Sequence, residues 1–217
     1  MNDKIVGIIF DFDGVILESA GIKTDCYRKF AESIGECIEE FIQYHIENGG
    51  ISRHIKIRHY FENLLSRDLS EEDEKNHVDV YTKCVVDSVA KAPFVPGAKE
   101  FIKWASQKVP LDIISGTPQN ELDGVVSQKQ LGSYFDSVKG YPTTKPERIS
   151  ELIQKKKCRP SECVYVGDAL SDYEAAQTAE CRFIGRMTSE NTDVFKDLDF
   201  EKVSDLFELR KVMEPLL

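Results

Sequence analysis

The sequence lacks the features that mark membrane, nucleic-acid-binding and zinc proteins. No apolar run approaches the ~20 residues of a membrane-spanning helix, and the N-terminus has no signal-peptide pattern. The four histidines show no HExxH or similar metal-binding spacing. Acidic residues number 38 and basic residues 28, and the net charge of −10 would repel a nucleic-acid backbone. We therefore expect a cytoplasmic protein whose partner is a small molecule, with no nucleic acid and no membrane. The sequence indicates no oligomeric state.

The cysteines also lack a recognisable pattern. Six are present, at positions 26, 37, 84, 158, 163 and 181, without a CxxC pair or a regular framework. In a chain of 217 residues, such scattered cysteines are more typical of reduced thiols than of a disulfide scaffold. We expect reduced core or surface thiols.

Two kinds of sequence are present instead. Between about residues 20 and 90 the apolar residues recur at helical spacing, and "SEED" at Ser70–Asp73 predicts the start of a helix. Beyond "KAPFVPG", predicted helices alternate with short apolar strands, which is typical of a parallel sheet covered by helices. We predict an α/β fold with a Rossmann-like parallel-sheet core, residues 1–17 and 92–217, and an inserted all-helical domain, residues 18–91.

Polar residues follow the predicted strands at the points where those strands end. The stretch "IVGIIFDFDGVILES" places two aspartates, separated by one residue, directly after a buried strand. Similar positions after later strands carry a Ser-Gly-Thr sequence, a lysine and two further aspartates. These candidate site residues are Asp11, Asp13, Ser115, Gly116, Lys145, Asp168 and Asp172. One such residue alone is usually a turn former or a helix cap, but ligands of α/β proteins bind at this edge of the sheet.

The chemistry of these residue types favours phosphate and magnesium. Clustered carboxylates need a positive partner, and hard oxygen ligands with few histidines suit Mg²⁺ better than zinc. The Ser115 hydroxyl and the amides that follow it would form an anion site, and Lys145 adds a positive charge. Asp11 can then act as a nucleophile, while Asp13, on the same side of the extended chain, can act as general acid and then general base.

The order of these motifs resembles that of the haloacid dehalogenase superfamily. "DFDGV", "IISGT", Lys145 and "GDALSD" are similar to its four motifs, and the helical insert resembles the C1 cap of phosphoglycolate phosphatases and β-phosphoglucomutases. The resemblance implies phosphoryl transfer through an aspartyl-phosphate on Asp11. Asp13 would protonate the leaving oxygen and then activate water, while Ser115 would hold the phosphoryl oxygens.

The resemblance also implies a metal site. Lys145 would bridge the phosphate and the nucleophile. Asp168 would bind Mg²⁺ together with Asp11 and the main-chain carbonyl of Asp13, and Asp172 would order the surroundings of the metal. The expected function is Mg²⁺-dependent hydrolysis of a small phosphorylated metabolite.

Three alternatives are weighed against this function. Dehalogenases of the superfamily lack the second aspartate, so Asp13 argues against halide displacement. Phospho-accepting receiver modules are roughly 120 residues long and carry no helical insert. A sugar phosphomutase shares every core residue with a phosphatase, and only the insert distinguishes the two.

The basic stretch "GGISRHIKIRHYF" within the insert bears on substrate choice. It is either a solvated helical face or a substrate-binding surface. For the second case we name Arg53 as the expected contact with a substrate anion and Lys56 as the next candidate, because Arg53 offers a planar fork that a lysine lacks. The sequence does not identify the substrate itself.

Overall fold

The computed structural model describes residues 4–142 and 144–217, without the side chain of Asp87. Within these residues, six strands form one sheet in the order β3-β2-β1-β4-β5-β6, with every neighbouring pair parallel. The strands are β1 (Gly7–Phe10), β2 (Leu111–Pro118), β3 (Ser137–Tyr141), β4 (Cys163–Gly167), β5 (Arg182–Arg186) and β6 (Glu201–Val203). The predicted parallel α/β sheet is confirmed.

Strand β1 lies at the centre of the sheet, between β2 and β4. Phe10 pairs with Ile113 on one side and with Val166 on the other. All four residues of β1 and all five of β4 are buried, as expected for central strands covered on both faces. The residues that follow β1, β2 and β4 therefore leave the sheet side by side at one edge.

The predicted helices of the core cover the two faces of this sheet. They are α5 (Ala98–Ala105), α6 (Gln119–Gln128), α7 (Lys145–Lys156), α8 (Leu170–Thr178) and α9 (Leu206–Met213), with short 3₁₀ turns at Gly132–Tyr134, Pro160–Glu162 and Glu214–Leu216. In α7 a capping box between Thr144 and Glu147 fixes the first turn, where Lys145 stands.

The helical insert lies between β1 and β2. It comprises α1 (Ala20–Ile34), α2 (Ile38–Glu47), α3 (Arg53–His59), a π-helical turn (Tyr60–Leu64) and α4 (Glu71–Lys91). Ser70 caps α4 as the sequence predicts, its hydroxyl accepting from the amide of Asp73 at 3.1 Å. The boundaries at 17/18 and 91/92 stay a prediction, and residues 1–3 and 143 of the predicted core lie outside the described residues.

One pair of cysteines corrects the sequence-based expectation of reduced thiols. Cys26 and Cys84 form a disulfide, with their Cα atoms 5.8 Å apart. They lie 58 positions apart in sequence, on α1 and α4, and meet because these two helices pack against each other. Linear spacing does not reveal such a pair. Cys37, Cys158, Cys163 and Cys181 are free.

Strand β6 and the π-helical turn were not predicted. Strand β6 has three residues, and exposed Glu201 and Lys202 interrupt any apolar run. The π-helical turn continues α3 without a break in the apolar spacing, so the pattern does not distinguish it from a longer α-helix. In the part of the chain that is described, no helix combines the length and apolar character needed to cross a membrane.

Candidate active site

The first candidate residue, Asp11, stands directly after the central strand. Its side chain is buried, and its amide donates to the carbonyl of Val166 at 2.8 Å, so β4 holds it in place. Gly14 then turns the chain with φ of +75°, a conformation that favours glycine. A Cβ atom at this position would lie 1.9 Å from Oδ2 of Asp168, so the turn admits only glycine beside that carboxylate.

Lys145 joins two of the predicted aspartates. Its Nζ lies 3.3 Å from Oδ2 of Asp11 and 2.5 Å from Oδ1 of Asp172. Asp172 is fully buried and also accepts from the Tyr165 hydroxyl at 2.7 Å and from the amides of Asp168 and Ala169 at 3.3 and 3.1 Å. The Asp172 carboxylate therefore already has four donors, which fix both the lysine and the loop that carries Asp168.

Three carboxylates meet beside this lysine. One oxygen from each of Asp11, Asp168 and Asp172 lies within 4.8 Å of the others. Burial raises the pKa of Asp11 to about 7, although Lys145 opposes the shift. Burial, followed by the charges of Asp11 and Asp172, also raises the pKa of Asp168 well above its usual value. Three ionised carboxylates this close together repel one another unless they share a bound cation.

Asp13 has a different environment, although it lies two residues from Asp11. Burial alone would raise its pKa, but the charge of Lys23 and hydrogen bonds from three side chains outweigh that effect and lower it. Ser19 Oγ donates to Oδ1 at 2.6 Å, Thr117 Oγ1 donates to Oδ2 at 3.0 Å, and Lys23 forms an ion pair with Oδ2. The two aspartates of the first motif are therefore electrostatically distinct.

The end of β2 supplies the predicted anion-binding residues. Ser115 is buried, and its hydroxyl accepts from the amide of Thr117 at 3.1 Å. Gly116 lies against the insert, since a Cβ atom there would come within 2.3 Å of the carbonyl oxygen of Gly50. Ser171 Oγ donates to the carbonyl of Gly49 at 2.5 Å. The Gly49–Gly50 loop of the insert therefore lies directly over the edge of the sheet.

Arg53 and Lys56 both line the cavity beneath this loop, but their contacts differ. Arg53 forms a two-pronged ion pair with Glu121 of α6, at 2.9 and 2.7 Å, and donates to Thr82 at 2.5 Å. Lys56 is buried, and its Nζ contacts Nδ1 and the carbonyl oxygen of His45, at 2.7 and 3.2 Å. Neither side chain belongs to a solvated helical face.

The structure thus brings all the predicted core residues to one edge of the sheet, and both predicted insert residues line the same cavity of about 100 Å³. Sequence reasoning missed four further cavity residues or their partners, Lys23, Thr24, His45 and Glu190. None of them stands at the end of a strand or belongs to a motif. The only sequence signal was the placement of Lys23 and Thr24 on α1, shortly after the first motif.

Comparison with known sequences identifies the family. The family model described as "Haloacid dehalogenase-like hydrolase" matches residues 8–186. The chain belongs to the haloacid dehalogenase-like hydrolase family. The resemblance drawn from the four motifs is confirmed, as is the predicted class of enzyme.

Several members of this family are similar to the chain over most of its length. A "Phosphorylated carbohydrates phosphatase" of Thermotoga maritima is 29% identical, covering 79% of this chain and 80% of its own. A "Phosphoglycolate phosphatase" of Pectobacterium atrosepticum is 25% identical, covering 83% and 80%. A crystal structure from Haemophilus somnus, described as a "predicted phosphoglycolate phosphatase", covers 98% of both chains with a TM-score of 0.77 at 16% identity, and shows the shared fold.

Proposed function

We propose that the chain is a Mg²⁺-dependent phosphatase that hydrolyses a small phosphorylated metabolite through an aspartyl-phosphate on Asp11. The observation that carries the proposal is the pair of environments of the two Asp11 carboxylate oxygens. Its Oδ2 faces Lys145, while its Oδ1 is buried and has no hydrogen-bond partner among the described residues. A buried carboxylate oxygen without a partner is rare and calls for a ligand.

The residues present fit a magnesium ion. Asp11, whose Oδ1 has no hydrogen-bond partner among the described residues, forms a cluster of hard oxygen donors with Asp168, and this is the ligand type that Mg²⁺ prefers. Asp11 and Asp168 would hold the ion together with the main-chain carbonyl of Asp13. Since Asp172 already accepts four hydrogen bonds, we assign it the role of fixing Lys145 and the Asp168 loop. When bound, the ion would neutralise charge on the carboxylates and on the phosphoryl oxygens.

The side chains around the phosphate would each have a separate role in the two half-reactions. A carboxylate oxygen of Asp11 forms a bond to phosphorus as the bond between phosphorus and the ester oxygen breaks, and Asp13 gives its proton to the departing oxygen. In the second half, Asp13 takes a proton from water as the water oxygen attacks phosphorus, which releases inorganic phosphate and restores Asp11. Ser115, the amide of Gly116 and Lys145 would hold the phosphoryl oxygens throughout.

The contacts of Asp13 favour its role as a base in the second half-reaction, the hydrolysis of the aspartyl-phosphate. Lys23 and two hydroxyl groups hold its carboxylate ionised, as a base requires. Donation of a proton in the first half requires the contact with Lys23 to be exchanged for one with the ester oxygen. Because Lys23 lies on α1, motion of the insert relative to the sheet would make that exchange.

The size of the cavity supports a small substrate. A volume of about 100 Å³ is several times the ~10–15 Å³ that one water requires by the same measure. It suits a phosphate group with a few carbon atoms. The relatives named after phosphoglycolate and phosphorylated carbohydrates support a phosphate monoester of this size.

The test is a screen of the purified protein against small phosphate monoesters, with Mg²⁺ and with a chelator. We expect release of inorganic phosphate only with Mg²⁺, and none from Asp11→Asn. Asp123→Asn removes an exposed carboxylate of α6 and serves as the matched control. If no ester releases phosphate and chelation changes nothing, the proposal is wrong. Conversion of a sugar phosphate to its isomer without phosphate release would identify a mutase instead.

A further inference from the structure

Lys56 is a buried cation whose partners are uncharged. Only 2% of the residue is exposed, and its Nζ contacts two acceptors of a single histidine, Nδ1 and the main-chain carbonyl of His45. Among the described residues, no carboxylate forms an ion pair with it. A buried ammonium group normally has a negative partner, because removing its charge from water costs several kcal/mol.

The protons around Lys56 can be assigned from the acceptors. Because the ammonium group donates to Nδ1 of His45, the ring proton sits on Nε2, which lies 3.0 Å from Thr24 Oγ1. The Thr24 hydroxyl has two acceptors at 3.2 Å, Oε2 of Glu190 and the main-chain carbonyl oxygen of Ala20. His45 thus uses two of the three N–H groups of Lys56. The ammonium group also lies 5.5 Å from the centre of the Tyr27 ring, and the side chain lines the cavity.

The charges around Lys56 do not offset the cost of its burial. Burial lowers the pKa of Lys56 well below its usual value, the charges of Lys23 and Lys145 lower it further, and the smaller opposing effects of Asp168 and Glu190 do not restore it. Both of those lysines already have carboxylate partners, Asp13 for Lys23 and Asp11 with Asp172 for Lys145. Arg53 is likewise engaged, with Glu121. Among the described cationic side chains that line the cavity, Lys56 is therefore the lysine or arginine without a carboxylate in ion-pair contact.

We propose that Lys56 binds a second acidic group of the substrate, so that the enzyme acts on phosphate esters that carry a carboxylate or a second phosphate. The inference rests on the proposed phosphatase function and names its substrate class. It reverses the order suggested by the sequence, in which Arg53 came first, because the Arg53 fork is occupied by Glu121. A bound substrate anion would raise the pKa of Lys56 and would form the ion pair that no carboxylate among the described residues forms with it.

The test compares matched pairs of esters. Phosphoglycolate is paired with its neutral amide, phosphoglycolamide, and ethylene glycol bisphosphate is paired with hydroxyethyl phosphate. In Lys56→Met we expect kcat/KM for the acidic member of one pair to fall about 10- to 100-fold, the usual worth of a charged hydrogen bond, with little change for its neutral counterpart. The pair that responds shows whether the second group is a carboxylate or a phosphate. Lys83→Met, which removes an exposed lysine of α4, should change neither.

The thermal stability of Lys56→Met distinguishes a substrate-binding role of Lys56 from a structural one. Methionine fills nearly the same volume without a buried charge, so Lys56→Met should raise Tm. A lower Tm with equal losses on both members of a pair would make Lys56 a structural residue and overturn the inference, as would unchanged kinetics.

A measurement on the wild-type enzyme needs no variant. Phosphonoacetate should inhibit at least about tenfold more tightly than ethylphosphonate. Equal inhibition by the two compounds would also overturn the inference. If the wild type hydrolyses none of the four esters or any other monoester, the failure lies with the phosphatase function rather than with Lys56.

Discussion

At the scale of single residues, two aspartates of the same motif have opposite electrostatic environments. Asp11 is buried beside other carboxylates, which raises its pKa, whereas Asp13 is held by Lys23, Ser19 and Thr117, which lower it. Sequence spacing placed both at the edge of the sheet, because residues two positions apart in an extended chain point to the same side. It could not reveal Lys23, which reaches Asp13 only through the packing of α1 over that edge.

This difference leads to a prediction for Asp13→Asn. The variant keeps the main-chain carbonyl but loses the proton donor, so alkyl phosphates should be hydrolysed about 10²- to 10⁴-fold more slowly. Aryl phosphates need less protonation of their leaving group, and their formation of the phospho-enzyme should slow much less. Burst kinetics with both substrates would measure this step. Equal losses in the burst rate would show that Asp13 is not the acid.

At the scale of elements, the ion pair between Arg53 and Glu121 joins the insert to the sheet domain. It connects α3 to α6, and both side chains are largely buried, at 6% and 16% exposure. Motion of the insert away from α6 would break the pair. We therefore interpret it as a contact that stabilises the closed arrangement of insert and core, for every substrate alike.

A double-mutant cycle tests this interpretation. Arg53→Ala or Glu121→Ala leaves one buried charge unpaired, and each should lower the free energy of unfolding by about 3 kcal/mol. The double variant should lose less than the sum of the two. Denaturant titration gives these values, and acidic and neutral esters should lose kcat/KM equally. A loss confined to acidic esters in Arg53→Ala would restore Arg53 as a substrate contact.

The elements show where sequence reasoning ends. Apolar spacing predicted the helices of the core and insert, because each element buries one face along its whole length. It did not predict the disulfide of Cys26 with Cys84 or the pairing of Arg53 with Glu121. Both depend on which helix packs beside which, and that choice is made by aromatic contacts such as Tyr27 against Tyr81, which a local pattern does not encode.

At the scale of the whole molecule, the buried carboxylates make stability depend on pH. Burial raises the pKa of the Asp11 carboxyl from the usual 3.8 to about 7, so between these pH values the folded chain binds a proton that the unfolded chain has released. Between about pH 4 and 7 this lowers the free energy of unfolding as pH rises, with a slope of up to about 1.4 kcal/mol per pH unit.

The corresponding experiment compares the wild type with Asp11→Asn in the presence of a chelator. The variant cannot ionise at this position, so its advantage in unfolding free energy should grow from pH 4 to 7 and then level off. Denaturant titrations at several pH values measure the difference. Mg²⁺ should reduce it at pH 7, since the ion stabilises the charged form. A difference independent of pH would contradict the assigned environment of Asp11.

The close approach of Gly116 to Gly50 also limits which amino-acid replacements the active site of this chain can accept. A side chain at Gly116 would meet the Gly50 carbonyl, and one at Gly49 would come within 2.9 Å of Ala169. Neither glycine supplies a reactive group, yet each occupies a place where a methyl group would hold the insert away from the sheet. In a saturation mutagenesis experiment these positions should tolerate as few replacements as the aspartates do. New substrate preferences would therefore arise from replacements of other side chains that line the cavity, while the contact between the Gly49–Gly50 loop and the sheet edge is kept.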